Sequence, residues 1–178
     1  GVGGPDALAW FDDVLRADRD GIATLTLNRA GQFNALSQAM IDALQCELDA
    51  IAADPAVRVL VIAGAGKAFC AGHDLKEMRA NHEKAFLRDL FRRCGRMMMT
   101  LIEMPQPVIA RVHGIATAAG CQLVSMCDLA VAVESARFAT SGINVGLFCA
   151  TPAVGLSRNL ARKQALEMLL TGDFIDAR

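Results

Sequence analysis

The sequence has no excess of charge of either sign: its 18 Lys and Arg stand against 19 Asp and Glu, a formal net charge of −1. Without a basic face or stripe, nothing supports a nucleic-acid surface. Charged residues interrupt the apolar stretches well before the roughly 20 residues that a membrane-spanning helix needs, so no span is expected. The six cysteines, at positions 46, 70, 94, 121, 127 and 149, include no CxxC pair. They are expected to be free thiols in a reducing, intracellular compartment. His73, His82 and His113 show no ligand spacing with them, so no metal is expected. There is no GxxxxGK and no GxGxxG after the first strand, which removes phosphate-loop and dinucleotide readings. A secretory signal pattern is missing too, and residues 1–12, opening Gly1-Val2-Gly3-Gly4-Pro5, read as a flexible lead.

What is present is a core-rich chain of 178 residues, 53% hydrophobic and 21% charged. Residues 13–178 read as one domain, long enough to bury roughly 70% of its unfolded surface. Val14–Ala17 and Ile22–Leu27 are strand candidates around an Asp20-Gly21 hairpin turn. Ser37 can cap a helix to about Ala53, with Met40, Ile41, Leu44, Leu48 and Ile51 on its apolar face. Val57–Ala63, Val108–Val112 and Asp128–Val133 read as further strands. Asp74 can cap a short helix. A longer one, about Glu83–Glu103, turns Phe86, Leu87, Leu90, Phe91, Cys94, Met97, Met98, Leu101 and Ile102 inward. Its methionines fit core filling, and a Met-rich wall also suits an acyl-chain pocket. Helices follow at about Ala118–Met126, Pro152–Leu160 and Arg162–Leu170, with 138–148 irregular. The alternation predicts an α/β domain with a mainly parallel sheet.

Two glycine-bearing turns follow buried strands and lead into helices. They are Phe69-Cys70-Ala71-Gly72-His73-Asp74-Leu75 and His113-Gly114 through Ala119-Gly120-Cys121-Gln122-Leu123. Small residues let a backbone approach a ligand or another backbone closely, so these strings fit tight packing as well as a binding crevice. Each turn can present free N–H groups, and two donors converging on one oxygen form an oxyanion hole.

These turns, with Asn34-Ala35-Leu36, Cys127-Asp128-Leu129-Ala130, Phe138 through Val145-Gly146-Leu147, and Thr171-Gly172-Asp173, make the chain resemble the crotonase (enoyl-CoA hydratase/isomerase) superfamily from Val14 onwards. The wording GHDLKE, AAGCQL and NVGLFC is similar to its enoyl-CoA hydratase domain-containing branch, which lacks both catalytic glutamates. The resemblance implies a spiral ββα core that binds a CoA thioester and needs no cofactor. It implies a homotrimer or dimer of trimers in a bacterial cytoplasm or the mitochondrial matrix. By motif position, the backbone N–H groups of His73 and Ala119 would hold the thioester oxygen. Ala71 and the region around Asn34 would lie near the nucleotide end of CoA, with Arg29 at its phosphates and Ala35, Gly72, Asp74, Leu75, Gly120 and Asn144 also at the ligand.

The same alignment places Gln122 and Gly142 where hydratases carry their two glutamates. An amide orients water but exchanges no proton at neutral pH, and glycine offers no side chain. Thr140, Ser141, Asn144, Cys149, Glu77 and Glu103 are the available polar substitutes. Three readings follow: a thioester-polarising enzyme with little hydratase activity, a non-catalytic acyl-CoA binder or assembly subunit, and a thioester hydrolase or decarboxylase. The stretch Ile175-Asp176-Ala177-Arg178 reads as the opening of a further helix, so the usual C-terminal covering helices are expected to be missing from the 178 residues.

Overall fold

The computed structural model describes residues 12–178. All but the last residue of the expected flexible lead lies outside the described residues. Strands β1 (Val14–Arg19) and β2 (Ile22–Leu27) form the expected hairpin. Its central residues Asp20 and Gly21 have φ of 53° and 80°. Positive φ at both positions matches the right-handed twist of the flanking strands, and Asp-Gly reaches it at little cost.

From here the chain alternates between two sheets. β3 (Val59–Gly64), β5 (Val108–Val112) and β7 (Leu129–Ala132) extend the first in the order β1-β2-β3-β5-β7, every pair beyond the hairpin being parallel. β4 (Ala68–Cys70), β6 (Ile115–Thr117) and β8 (Arg137–Ala139) form a second, parallel sheet in the order β4-β6-β8. Each turn gives one strand to each sheet and then goes helical, which is the ββα spiral that the resemblance implies. In the first turn an isolated parallel bridge, Leu36 to His73, stands in for the second strand. The three short strands of the second sheet fall where the sequence reads as turn or irregular chain.

Helix α1 (Gln38–Ala52) starts where the Ser37 hydroxyl accepts the Met40 N–H at 3.1 Å. Helices α2 (Leu75–Ala80) and α3 (Lys84–Glu103) follow β4. α4 (Ala119–Met126) follows β6, and α5 (Ala150–Asn159) and α6 (Arg162–Thr171) follow β8. On α3 the buried stripe is Leu90, Cys94, Met97, Met98 and Leu101. Ile102, expected inside, is 52% exposed. It sits about 100° around the helix from Leu101 and falls off the stripe. The core joins this stripe to the apolar face of α1, the inner residues of the large sheet and Phe69. Asp128 fastens the last strand pair from both groups, accepting the Val108 N–H at 2.7 Å and donating its own N–H to Val108 at 2.9 Å. All six cysteines are free. Among the described residues no helix is long and apolar enough to cross a membrane.

Candidate functional site

The first turn leaves β4 and bends at Gly72, whose φ of 89° favours glycine. A Cβ at Gly72 would lie 2.9 Å from the Ala118 Cβ and 3.1 Å from the Ala119 nitrogen. Its missing side chain therefore lets the two turns touch at the head of α4. Asp74 closes the turn by capping α2, its Oδ1 accepting the N–H groups of Lys76 and Glu77 at 3.1 Å each. Its Oδ2 accepts from Arg29 at 3.1 Å. Desolvation pulls the Asp74 pKa upward, but the Glu77 amide and the Arg29 guanidinium outweigh it and hold the carboxyl below its usual range.

The second turn meets the first through Thr117, whose hydroxyl donates to the Ala71 carbonyl at 3.0 Å. Ala118 then adopts φ 50° and ψ −120°, a sparsely populated region for a residue with a Cβ. Ala119 is the first residue of α4 and Gly120 the second. A Cβ at Gly120 would collide with the Cys70 carbonyl, so this glycine serves the packing of α4 on β4. Neighbouring amides are engaged: Ala71 donates to Phe33, Asp74 to Leu36, Ala118 to Ala139 and Gln122 to Ala118. Among the described residues, no such bond is found from the His73 or Ala119 amide.

Both residues line one cavity of ≈ 380 Å³. Apolar side chains of α2 and α3, including Leu75, Met78 and Phe91, form one wall. Leu147, Phe148 and Pro152, from the segment around the head of α5, form another. Ala71 and Gly142 are wall positions too. The methionines of α3 are not: Met97 and Met98 are core, and the wall methionine is Met78. Of these, Met78, Phe91, Leu147, Phe148 and Pro152 carry no site signal in the sequence beyond the apolar periodicity of α3 that turns Phe91 inward.

The His73 ring packs on Phe91 with centroids 5.0 Å apart, and its Nε2 is buried without a hydrogen-bond partner. Desolvation drops its pKa to about 4, so the ring is neutral at pH 7. Cys149 also faces the cavity. Burial raises its thiol pKa, partly offset by the Gly142 N–H, and it stays protonated near neutrality.

The remaining expected residues sit around this centre. Asn34 is fully buried with φ 54°. Its Nδ2 group lies 2.8 to 3.1 Å from the carbonyls of Ala65, Ala68 and Phe69, and its Oδ1 accepts the Arg29 N–H. It holds the loop in front of β4. Arg29 also donates to the Ala35 carbonyl at 2.7 Å, tying that loop to the Asp74 cap. Gln122, one turn along α4 from Ala119, is 4% exposed and does not line the cavity; its Oε1 has no partner. At Gly142 a Cβ would meet the Leu147 carbonyl and lie 2.8 Å from Cys149 Sγ. Asn144 reaches only a long 3.5 Å contact with the Gly172 carbonyl, and Thr140 donates to Met168. Of the substitute carboxylates, Glu77 accepts the first amide of α1 from Gln38 at 2.9 Å, and Glu103 is exposed at the end of α3. Neither lines the cavity.

Residues 17–178 match the family model described as Enoyl-CoA hydratase/isomerase. Enoyl-CoA hydratase domain-containing protein 3, mitochondrial, from Xenopus laevis is 50% identical over 88% of this chain and 53% of its own length. The human protein of that name is 46% identical over 89% of this chain and 52% of its own. A crystal structure of an enoyl-CoA hydratase from Mycobacterium smegmatis superposes with a TM-score of 0.91 at 60% identity, covering 93% of this chain and 65% of that one. The chain thus spans about half the length of the curated relatives it matches.

Proposed function

Since the chain belongs to the enoyl-CoA hydratase/isomerase family, we propose that it binds an acyl-CoA thioester and polarises its carbonyl through the N–H groups of His73 and Ala119. The observation that carries this reading is that both residues line one apolar cavity where Gly72 lets the two turns touch, and that among the described residues neither backbone amide has a backbone partner. Charge grows on the thioester oxygen as an enolate develops, and donors fixed beforehand stabilise that charge without reorganising. His73 acts through its main chain, its ring being neutral and packed on Phe91. Ala71 and Leu75 line the cleft, Gly72 lets its two turns touch, and Gly120 packs α4 onto β4 behind it. The loop from Arg29 to Ala35, held by Asn34 and by the Arg29–Asp74 pair, would meet the nucleotide end of CoA, and Asn144 would stand beside the ligand. No cofactor enters this scheme. Assembly as a homotrimer or a dimer of trimers, in a reducing intracellular compartment, goes with it.

Efficient hydration is not part of the proposal. A positioned acid or base contributes typically about 10² to 10⁴-fold, and neither Gln122 nor Gly142 can exchange a proton. A second reading, a binder without chemistry, is favoured by one observation: the space beside Gly142 is filled by the Leu147 carbonyl and Cys149. One experiment separates the two. The full chain is titrated with saturated acyl-CoA and then incubated with a panel of enoyl, dienoyl and malonyl thioesters. Binding with an identified product supports the enzyme and excludes the inert binder; binding with no product supports the binder. Failure to bind any thioester more tightly than free CoA refutes both. A product lost in Asn144→Ala would assign the chemistry to hydrolysis or decarboxylation at that residue.

A further inference from the structure

Among the described residues, Cys149 is the only one of the six cysteines that lines the cavity shared by His73 and Ala119. Cys70 and Cys94 belong to the main core, and Cys46 is exposed on α1. Cys149 is buried and immediately precedes the first turn of α5, a helix of ten residues, yet its thiol makes no capping hydrogen bond. The sulfur is therefore free of the helix end while standing where the helix dipole favours negative charge. The Gly142 N–H donates to it and opposes the upward pull of burial on its pKa. A Cβ at Gly142 would lie 2.8 Å from Sγ, so only glycine brings this amide so close. The same cavity gathers other polar groups that the fold leaves unused. The His73 and Ala119 amides have no backbone partner, and His73 Nε2 is buried without any partner. Buried polar groups are nearly always paired, so this set is one that a ligand completes.

Resting on the acyl-CoA reading above, we propose that the Cys149 sulfur adds to the β-carbon of a bound 2-enoyl thioester, capturing α,β-unsaturated acyl-CoA as a covalent thioether. The S–C bond forms at the β-carbon and the C=C π pair moves toward the thioester carbonyl. The enolate that results carries the charge that the His73 and Ala119 amides would hold. The proton leaves the thiol to water and the α-carbon takes one from water, so only the thiol and the enoyl thioester are consumed. The β-carbon is two bonds from the carbonyl carbon, and a thioester seated on the two amides carries it into the cavity that Cys149 lines. Little of the thiol is ionised near neutrality, and holding the enoyl carbon against it compensates through proximity. A saturated acyl-CoA offers no electrophilic β-carbon and binds without reacting.

The test is intact-mass and peptide-level mass spectrometry of the full chain after incubation with crotonyl-CoA and acid quenching. The expected product carries one crotonyl-CoA per chain, attached at Cys149. Cys149 should be labelled at least about tenfold faster than the exposed Cys46, because binding holds the reacting atoms together. Butyryl-CoA, the saturated analogue, should leave no adduct, and in excess it should slow labelling of Cys149 without affecting Cys46. Cys149→Ser should abolish the adduct and keep its affinity for butyryl-CoA in calorimetry, whereas Cys46→Ser should be labelled as the wild type is. The wild-type peptide map decides the site whether or not Cys149→Ser folds. Butyryl-CoA binding with no adduct from crotonyl-CoA, or labelling of Cys46 as fast as Cys149, overturns the covalent capture and leaves the acyl-CoA reading intact. If butyryl-CoA neither binds more tightly than free CoA nor protects Cys149, the acyl-CoA reading itself falls.

Discussion

The Thr117 hydroxyl donates to the Ala71 carbonyl at 3.0 Å, fastening the turn after β6 to the turn after β4 across 46 positions of sequence. The bond is partly buried and lies one residue from Ala118 and two from Ala119, so it sets how the head of α4 meets the first turn. Thr117→Val keeps the shape and removes the donor. Denaturant unfolding should show a loss of about 1–3 kcal/mol, the cost of an unmade buried hydrogen bond. Acyl-CoA affinity should fall as well. Unchanged affinity would mean that the turns hold their spacing without this bond.

Gly72→Ala tests the close approach itself. The new methyl group would sit 2.9 Å from the Ala118 Cβ in a backbone with φ of 89°. Strain at such a position costs about 1–3 kcal/mol, before the contact is counted. Thermal unfolding should fall accordingly, and binding of a saturated acyl-CoA should be lost in the fraction that remains folded. Ala118→Gly works the other way: removing the Cβ at φ 50° relieves strain and should raise the melting temperature.

Much of the frame around this contact was legible in the sequence, and the reasons are local. Asp20-Gly21 reads as a hairpin because few other pairs tolerate two positive φ values, and Ser37 and Asp74 cap their helices as their positions predict. The second sheet was legible only through resemblance. β4, β6 and β8 are three residues each, too short to show a two-residue period, and they lie inside strings such as Ile115-Ala116-Thr117 that read equally as turn. Within the site, the two turns and their glycines stood out. The opposite wall did not: Leu147, Phe148 and Pro152 come from an irregular segment, and no local rule says which way such side chains point. Thr117 looked like one more small residue, because its partner is brought near only by the fold.

His73 makes stability depend on pH. Its folded pKa of about 4 lies below the ordinary 6.5, so between these values the unfolded chain binds more protons than the folded one. Its contribution is therefore complete above about pH 6.5, is lost as pH falls toward 4, and levels off below that. The size is on the order of 3 kcal/mol for this group alone. Comparing wild type with His73→Gln by denaturant unfolding from pH 7.5 to 4 isolates it: the wild type should lose more stability over this window. Parallel curves would show that the ring is protonated at no cost.

Carboxylates introduced at Gln122 and Gly142 should damage the fold before they support hydration. Gln122 is buried with an unpartnered Oε1, so a carboxylate there would be desolvated without a donor. In Gln122→Glu the folded pKa rises above the ordinary value of about 4.3, and the variant should lose more stability at pH 8 than at pH 5. Gly142→Ala places a methyl group against the Leu147 carbonyl and Cys149 Sγ, an overpacking worth about 1–3 kcal/mol in the melting curve. The double variant Gln122→Glu with Gly142→Glu should show no hydration of crotonyl-CoA above that of the wild type. Hydration rising by orders of magnitude would show that the segment from Gly142 to Cys149 can rearrange to admit a side chain.

The central claim is that the His73 and Ala119 amides share one thioester oxygen, and a crystal structure of the full chain with a saturated acyl-CoA bound tests it most directly. The account predicts the carbonyl oxygen at about 2.7–3.2 Å from both nitrogens, with the acyl tail between Met78 and Leu147. A thioester oxygen bonded to neither amide, or a tail lying outside this cavity, would contradict it.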